Sequence, residues 1–201
     1  MYDAIVVAGG AARRLGSVDK PALLLAGSSL LDHVLAAVAD AERTVVVGPE
    51  RDVARAVHWC REQPPGGGPV AALAAGFRHV RADVVVVLAA DLPWIAPAVV
   101  ALQAALGDGP ADAALLVDSD GRVNHLAAAW RRPALGAALA AVGEPAGAPA
   151  HRVLAGTTYV TVLDPHGWGR DCDTWDDLAA ARREADDLAA ARREAQERSN
   201  R

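Results

Sequence analysis

Five short apolar runs in this chain do not alternate with polar residues: Ile5–Ala8, Thr44–Val47, Val84–Leu88, Ala113–Val117 and Tyr159–Leu163. A strand with one wet face alternates; a strand covered on both faces does not. Ala- and Leu-rich stretches long enough for helices lie between them, over Ser29–Ala39, Arg51–Val57, Val70–Val80, Pro97–Leu106 and Pro133–Val142. Strand and helix in alternation predict an α/β fold, a Rossmann-like three-layer sandwich around a mainly parallel sheet. A short strand near His58–Cys60 and another over Leu126–Trp130 complete the set, the latter open to antiparallel pairing. The segment Glu144–Gly156 carries no clear signal. Ligands of such sheets bind outside the carboxyl ends of the strands. The loops after Ile5–Ala8, His58–Cys60 and Val84–Leu88 are therefore expected to rim one cleft.

The first of these loops reads Ala8-Gly9-Gly10-Ala11-Ala12-Arg13-Arg14-Leu15-Gly16-Ser17-Val18-Asp19-Lys20-Pro21. Adjacent glycines let bare N–H groups approach an anion closely. Arg13, Arg14 and Lys20 add positive charge, as a phosphate-binding loop requires. Lys20 is the one lysine among twenty Lys and Arg residues. A chain so biased toward Arg keeps Lys where a compact ammonium and a planar guanidinium are not equivalent. A Walker loop needs Gly-Lys-Ser/Thr, whereas here Lys20 stands between Asp19 and Pro21. A dinucleotide fingerprint needs Gly-x-Gly-x-x-Gly and an acid ending the next strand, but that strand ends at Gly48.

Asp91 follows the wholly apolar run Val84–Leu88, and Pro93 stiffens the turn after it. An ionised carboxylate at such a point calls for a cation, and Mg²⁺ prefers one or two carboxylates together with phosphate oxygens. Capping of the next helix is the structural alternative. The run Glu62-Gln63-Pro64-Pro65-Gly66-Gly67-Gly68-Pro69 permits close backbone approach just before a helix. In Asp171-Cys172-Asp173-Thr174-Trp175-Asp176-Asp177-Leu178, Thr174 and Asp177 have the spacing of a capping box, with Asp in place of Glu.

Ala8-Gly9-Gly10, Arg14-Leu15-Gly16 and Asp19-Lys20-Pro21 together resemble the signature of nucleotidyltransferases with a glycosyltransferase-A-like fold. Within that group the chain looks most like the molybdenum cofactor guanylyltransferases, and the later motifs extend the resemblance over most of its length. The resemblance implies transfer of GMP from GTP to the terminal phosphate of molybdopterin, with release of pyrophosphate. It implies catalytic roles for Lys20, Arg14 and Asp91. It implies nucleotide contacts at Val7, Ala8, Gly9, Gly10, Lys20 and Asp91, and guanine reading by the loop from Glu62 to Gly68. The family usually has Asp where this chain has Glu62. Mg²⁺ would be held by Asp91, with Asp173 as a second ligand. Asn124 and His125, in Asp120-Gly121-Arg122-Val123-Asn124-His125, would border the acceptor cleft. The same chemistry on a sugar 1-phosphate or phospholactate, or with CTP, stays open, as does a non-catalytic nucleotide-binding protein.

A net charge of −5 speaks against a nucleic-acid partner. Cys60 and Cys172 form no C-x-x-C pair, and no 18-residue apolar span occurs. The expectation is a cytoplasmic protein without membrane contact, able to act as a monomer and open to contact with molybdoenzyme maturation proteins. The decapeptide Asp176–Ala185 recurs identically as Asp186–Ala195. Ten residues advance a helix by about 1000°, so the second copy is turned roughly 80° from the first. A nucleotidyltransferase domain over 1–185 and a duplicated helical tail over 186–201 are expected.

Overall fold

The structure is a computed structural model that describes residues 1–9 and 18–199. Its sheet is built from β1 (Asp3–Val7), β4 (Arg43–Val47), β5 (His58–Cys60), β6 (Val84–Ala89), β7 (Ala113–Val117), β8 (Val123–Arg131) and β9 (Tyr159–Leu163). Their order is β5-β4-β1-β6-β8-β7-β9. β2 (Leu24–Leu25) and β3 (Ser28–Ser29) form a small separate hairpin. The helices are α1 (Leu30–Ala37), α2 (Gly68–Phe77), α3 (Ala96–Leu106), α4 (Arg132–Val142) and α5 (Trp175–Ser199).

β8 runs antiparallel to both β6 and β7, while the other neighbours in the sheet pair in parallel. The carboxyl ends of six strands therefore share one edge of the sheet with the amino end of β8. This polarity carries Asn124 and His125 to the same edge as the loops after β1, β5 and β6.

The side-chain period of a strand sorts the core into two layers. Val6, Leu88, Ala114 and Ala129 pack against Leu31, Val34 and Leu35 of α1 and Val99 and Leu102 of α3. On the opposite face, Ile5, Val87, Leu115 and Trp130 pack against Val70 and Leu73 of α2 and Leu135 of α4. Full burial of each such Val or Leu contributes roughly 1.5–3 kcal/mol. At Gly76 a Cβ would lie 2.7 Å from Ile5 Cγ2 and 3.0 Å from Val47 Cγ2. Glycine there lets α2 sit directly on the central strands. A third, smaller cluster holds α5: Leu178 and Ala181 pack on Leu25, Leu30 and Cys172.

One expected helix is absent. Residues Arg51–Val57 form an extended connection in which half-buried and exposed positions alternate. β5 starts level with Val45, two residues short of the end of β4, so the chain has only about 7 Å to return along the sheet. Side chains fix the extended path: Asp32 accepts a hydrogen bond from the Ala54 amide (2.9 Å), and Arg55 donates to the Leu35 and Val38 carbonyls at the end of α1.

Candidate active site

Lys20 and Asp91 come together at the carboxyl edge of the sheet, 71 residues apart in sequence. The Ala90 amide donates to the Val7 carbonyl (3.0 Å), which ties the end of β6 to the end of β1. Asp91 thereby emerges beside the first loop. Lys20 opens a short 3-10 turn, Lys20–Ala22, with Pro21 in its first turn. Its ammonium bridges the carboxylates of Asp91 and Asp173. Burial alone would lower the Lys20 pKa; Asp91 and Asp173 outweigh it and hold the ammonium above its ordinary value.

Asp173 and Asp171 reach this point because the chain before α5 is extended. Cys172, between them, is buried against the third core cluster, so its neighbours face the other way. The helix then starts at a reciprocal cap. Thr174 Oγ1 accepts from the Asp177 amide (3.1 Å), and the Asp177 carboxylate accepts from the Thr174 amide (2.8 Å). Asp91, Asp171 and Asp173 each present a carboxylate oxygen, and these atoms lie within 4.8 Å of one another. Partial withdrawal from water, then the charges of Asp173 and Asp91, push the Asp171 carboxyl above its usual range. Three hard oxygen donors with one ammonium among them leave negative charge in excess, which suits a divalent cation such as Mg²⁺.

On the β1–β4 side of this centre, Glu62 is 6 % exposed. Its Oε1 accepts from the Gly66 amide (2.9 Å). The two oxygens lie 3.6 and 3.9 Å from where a Cβ on Gly9 would stand. Glu62 thus braces the second loop and lies beside Gly9, where the first loop begins, with Gly68 at the amino end of α2. Gly68 has φ +87° and nothing within 4 Å of its Cβ position, leaving open space above the helix terminus. Val7 and Ala8 bury their side chains, and their peptide groups pair with Ala90 and Val47. Gly10 and Arg14 lie outside the described residues.

On the other side a cleft of about 840 Å³ opens, lined among others by Asp91, Asp171, Asn124, His125, Arg122 and Arg170. Asn124 spends its side chain on the walls: it donates to the Gly169 carbonyl (3.3 Å) and accepts from the Leu126 amide (3.0 Å). Asp164 does the same for the facing loop, accepting from the His166, Trp168 and Gly169 amides. His125 stays available; burial and then His151, whose ring lies 6.4 Å away, hold its pKa below the ordinary value.

Three residues were not singled out from the sequence. Asp171 had a readable signal, an Asp-x-Asp spacing in an extended segment. Arg51, in a segment expected to be helical, grips Asp19 through Nε (2.8 Å) and Nη2 (2.6 Å), anchoring the residue before Lys20. His151 meets His125 only through the fold.

Residues 4–161 match the MobA-like NTP transferase domain family. A molybdenum cofactor guanylyltransferase of Acidiphilium cryptum is 39 % identical over 138 residues, 63 % of this chain and 65 % of that protein. A probable molybdenum cofactor guanylyltransferase of Synechococcus elongatus is 37 % identical over 105 residues, 47 % of this chain and 53 % of that protein. The match thus spans just under two thirds of the first relative's length and about half of the second's. The crystal structure of molybdopterin-guanine dinucleotide biosynthesis protein A from Archaeoglobus fulgidus superposes with a TM-score of 0.72 at 21 % identity, over 92 % of this chain and 99 % of that one. The shared fold is the α/β nucleotidyltransferase architecture.

Proposed function

The chain belongs to the MobA-like NTP transferase domain family, and from that premise we propose that it transfers GMP from GTP to the terminal phosphate of molybdopterin. An acceptor phosphate oxygen forms a bond to the α-phosphorus of GTP. The bond from that phosphorus to the bridging oxygen breaks, and pyrophosphate leaves with its electron pair. The observation that carries this reading is the Lys20 ammonium between Asp91 and Asp173, set between the Glu62–Gly68 loop and the cleft at His125.

The attacking group is already anionic, so no general base is needed; alignment and charge stabilisation are the protein's tasks. Lys20 neutralises charge on the triphosphate. Asp91, Asp171 and Asp173 would hold Mg²⁺, which when bound supplies positive charge to the phosphate oxygens. Buried Glu62 and the Gly66–Gly68 backbone face the base, and a carboxylate there matches the donor edge of guanine. Guanine offers N1–H and N2–H2 side by side, whereas cytosine and adenine each set a ring-nitrogen acceptor beside their one amino donor and would turn its lone pair on the carboxylate, a mismatch that discriminates strongly. His125 and Arg122 border the acceptor.

Pyrophosphate release with GTP, CTP and ATP, against purified molybdopterin and sugar 1-phosphates, tests this reading. We expect GTP to exceed the other nucleotides by at least about tenfold in kcat/KM, roughly 1.4 kcal/mol, and release to require molybdopterin. Equal use of CTP overturns the base assignment. Release with a sugar phosphate but not with molybdopterin overturns the acceptor.

A further inference from the structure

We propose that Arg51 is a positioning residue: clasped to Asp19, it sets the place from which Lys20 reaches the phosphate site. The inference rests on the nucleotidyl-transfer reading above, and on neither the choice of base nor that of acceptor.

Lys20 needs an anchor that its own turn does not supply. The turn Lys20–Ala22 holds no fully buried residue, so the core fixes it weakly. A lysine is a point charge on a flexible four-carbon stem, and its reach to two carboxylates is only as definite as the backbone beneath it. Downstream that backbone is held: the Leu23 amide donates to the Lys20 carbonyl (3.1 Å), and the Leu30 amide to the Leu23 carbonyl (2.9 Å). Upstream lies the glycine-rich loop, and the residue that joins it to the turn is Asp19.

Asp19 stands at the N-cap of the turn, where an Asp side chain ordinarily accepts from a backbone amide two or three residues on. It makes no such bond. Its carboxylate turns to Arg51 instead. Nε donates to Oδ2 (2.8 Å) and Oδ1 (3.1 Å), Nη2 donates to Oδ1 (2.6 Å), and Nη1 donates to the Pro49 carbonyl (2.8 Å). All three guanidinium nitrogens are thus engaged. The Arg51 side chain is 12 % exposed and that of Asp19 52 %. A pair open to water on one side adds little to stability. A forked arginine–carboxylate pair does fix geometry.

The loop from which Arg51 reaches is itself tied down. The Gly48 amide donates to the Cys60 carbonyl (2.9 Å). A Cβ on Gly48 would lie 2.7 Å from the Ala8 carbonyl oxygen, so this loop presses directly on the end of β1. The Ala90 amide ties Asp91 to the same strand end through the Val7 carbonyl. Both sides of the Lys20–Asp91 contact are therefore referenced to β1, Asp91 through Ala90 and Lys20 through the Arg51–Asp19 clasp.

Lys20 is the one lysine of the chain, so amine acylation read by mass spectrometry reports on it directly, with the α-amino group as internal standard. In Arg51→Gln and in Asp19→Ala, Lys20 should acylate faster than in the unaltered chain. The melting temperature of Arg51→Gln should stay nearly unchanged, because Asp19 is left hydrated. In both variants kcat for pyrophosphate release from GTP should fall on the order of tenfold, with KM for GTP much less affected. Arg51→Lys keeps the charge, loses the fork, and should resemble Arg51→Gln. The double variant should be no slower than the slower single one, since both remove the same contact. Unchanged acylation in both single variants, full activity in Arg51→Lys, or a double variant whose loss is the product of the single losses overturns the proposal. If one single variant fails to fold, the other decides. If the unaltered chain releases no pyrophosphate from any nucleotide, the assigned reaction falls, and acylation still decides whether the clasp places Lys20.

Discussion

Between two carboxylates, size and shape matter as much as charge. The Lys20 ammonium is small enough to touch Asp91 and Asp173 at once; a guanidinium is broader and planar. Lys20→Arg is expected to keep the fold and lose most turnover, on the order of 10²-fold in kcat/KM. Steady-state kinetics beside a melting curve checks this, and near-normal turnover would remove Lys20 from the phosphate site. Asp91→Asn should lose on the order of 10²-fold or more in Mg²⁺-dependent turnover with the melting temperature retained. A variant that unfolds but keeps normal activity per folded molecule would make Asp91 a structural residue. The β2–β3 turn offers a gain instead. Ala26 has φ +49° at a position where the tight hairpin turn favours Asn or Gly. Ala26→Asn should raise stability by about 1 kcal/mol, read as a higher denaturant midpoint at unchanged slope.

At the scale of elements, close approach decides what is tolerated. A methyl at Gly76 cannot fit between α2 and the strands without moving Ile5 and Val47. Gly76→Ala should therefore destabilise by about 1–3 kcal/mol, although alanine is the better helix former. Chemical denaturation measures the sign, and a neutral or stabilised variant would show that α2 can shift. The end of α5 behaves oppositely. Leu178 is 1 % exposed and Leu188 44 %, as the rotation between the two repeats requires. We expect truncation after Ala185 to leave turnover and melting temperature within error, and a clear fall in either would show that the tail makes contacts of its own.

For the whole molecule, acid should be the weakness. His79 and His125 both have pKa values held below the ordinary one. For His79 the causes are burial, then His58, Arg43 and Arg78; for His125 they are burial, then His151. The unfolded chain therefore takes up protons that the folded one refuses, and folding stability present above about pH 6.5 is lost as pH falls below it. Urea midpoints between about pH 8 and 5 should decline, and His79→Asn should flatten part of that slope. A flat profile would show that these imidazoles are hydrated in the folded state.

Some of this protein is local, and the sequence alone determined that part. Four of the five apolar runs became buried strands because a strand covered on both faces has no wet side to pattern; the fifth, Tyr159–Leu163, lies largely exposed at the edge of the sheet. The Thr174 cap formed with Asp177 as their spacing dictates. Lys20 and Asp91 were legible because each is anomalous where it stands: a lone lysine, and an acid ending an apolar strand. The rest depended on distance and direction in three dimensions. Residues Arg51–Val57 have helix-compatible composition, but hydrogen bonds to the Asp32 side chain and to the end of α1 hold the segment in another path. Asp171 joined Asp91 only because Cys172 found a buried socket. His151 met His125, and Arg51 met Asp19, through strand order and not through spacing. Periodicity reports which face of an element is buried; it carries no term for which elements become neighbours, and the site is made where neighbours meet.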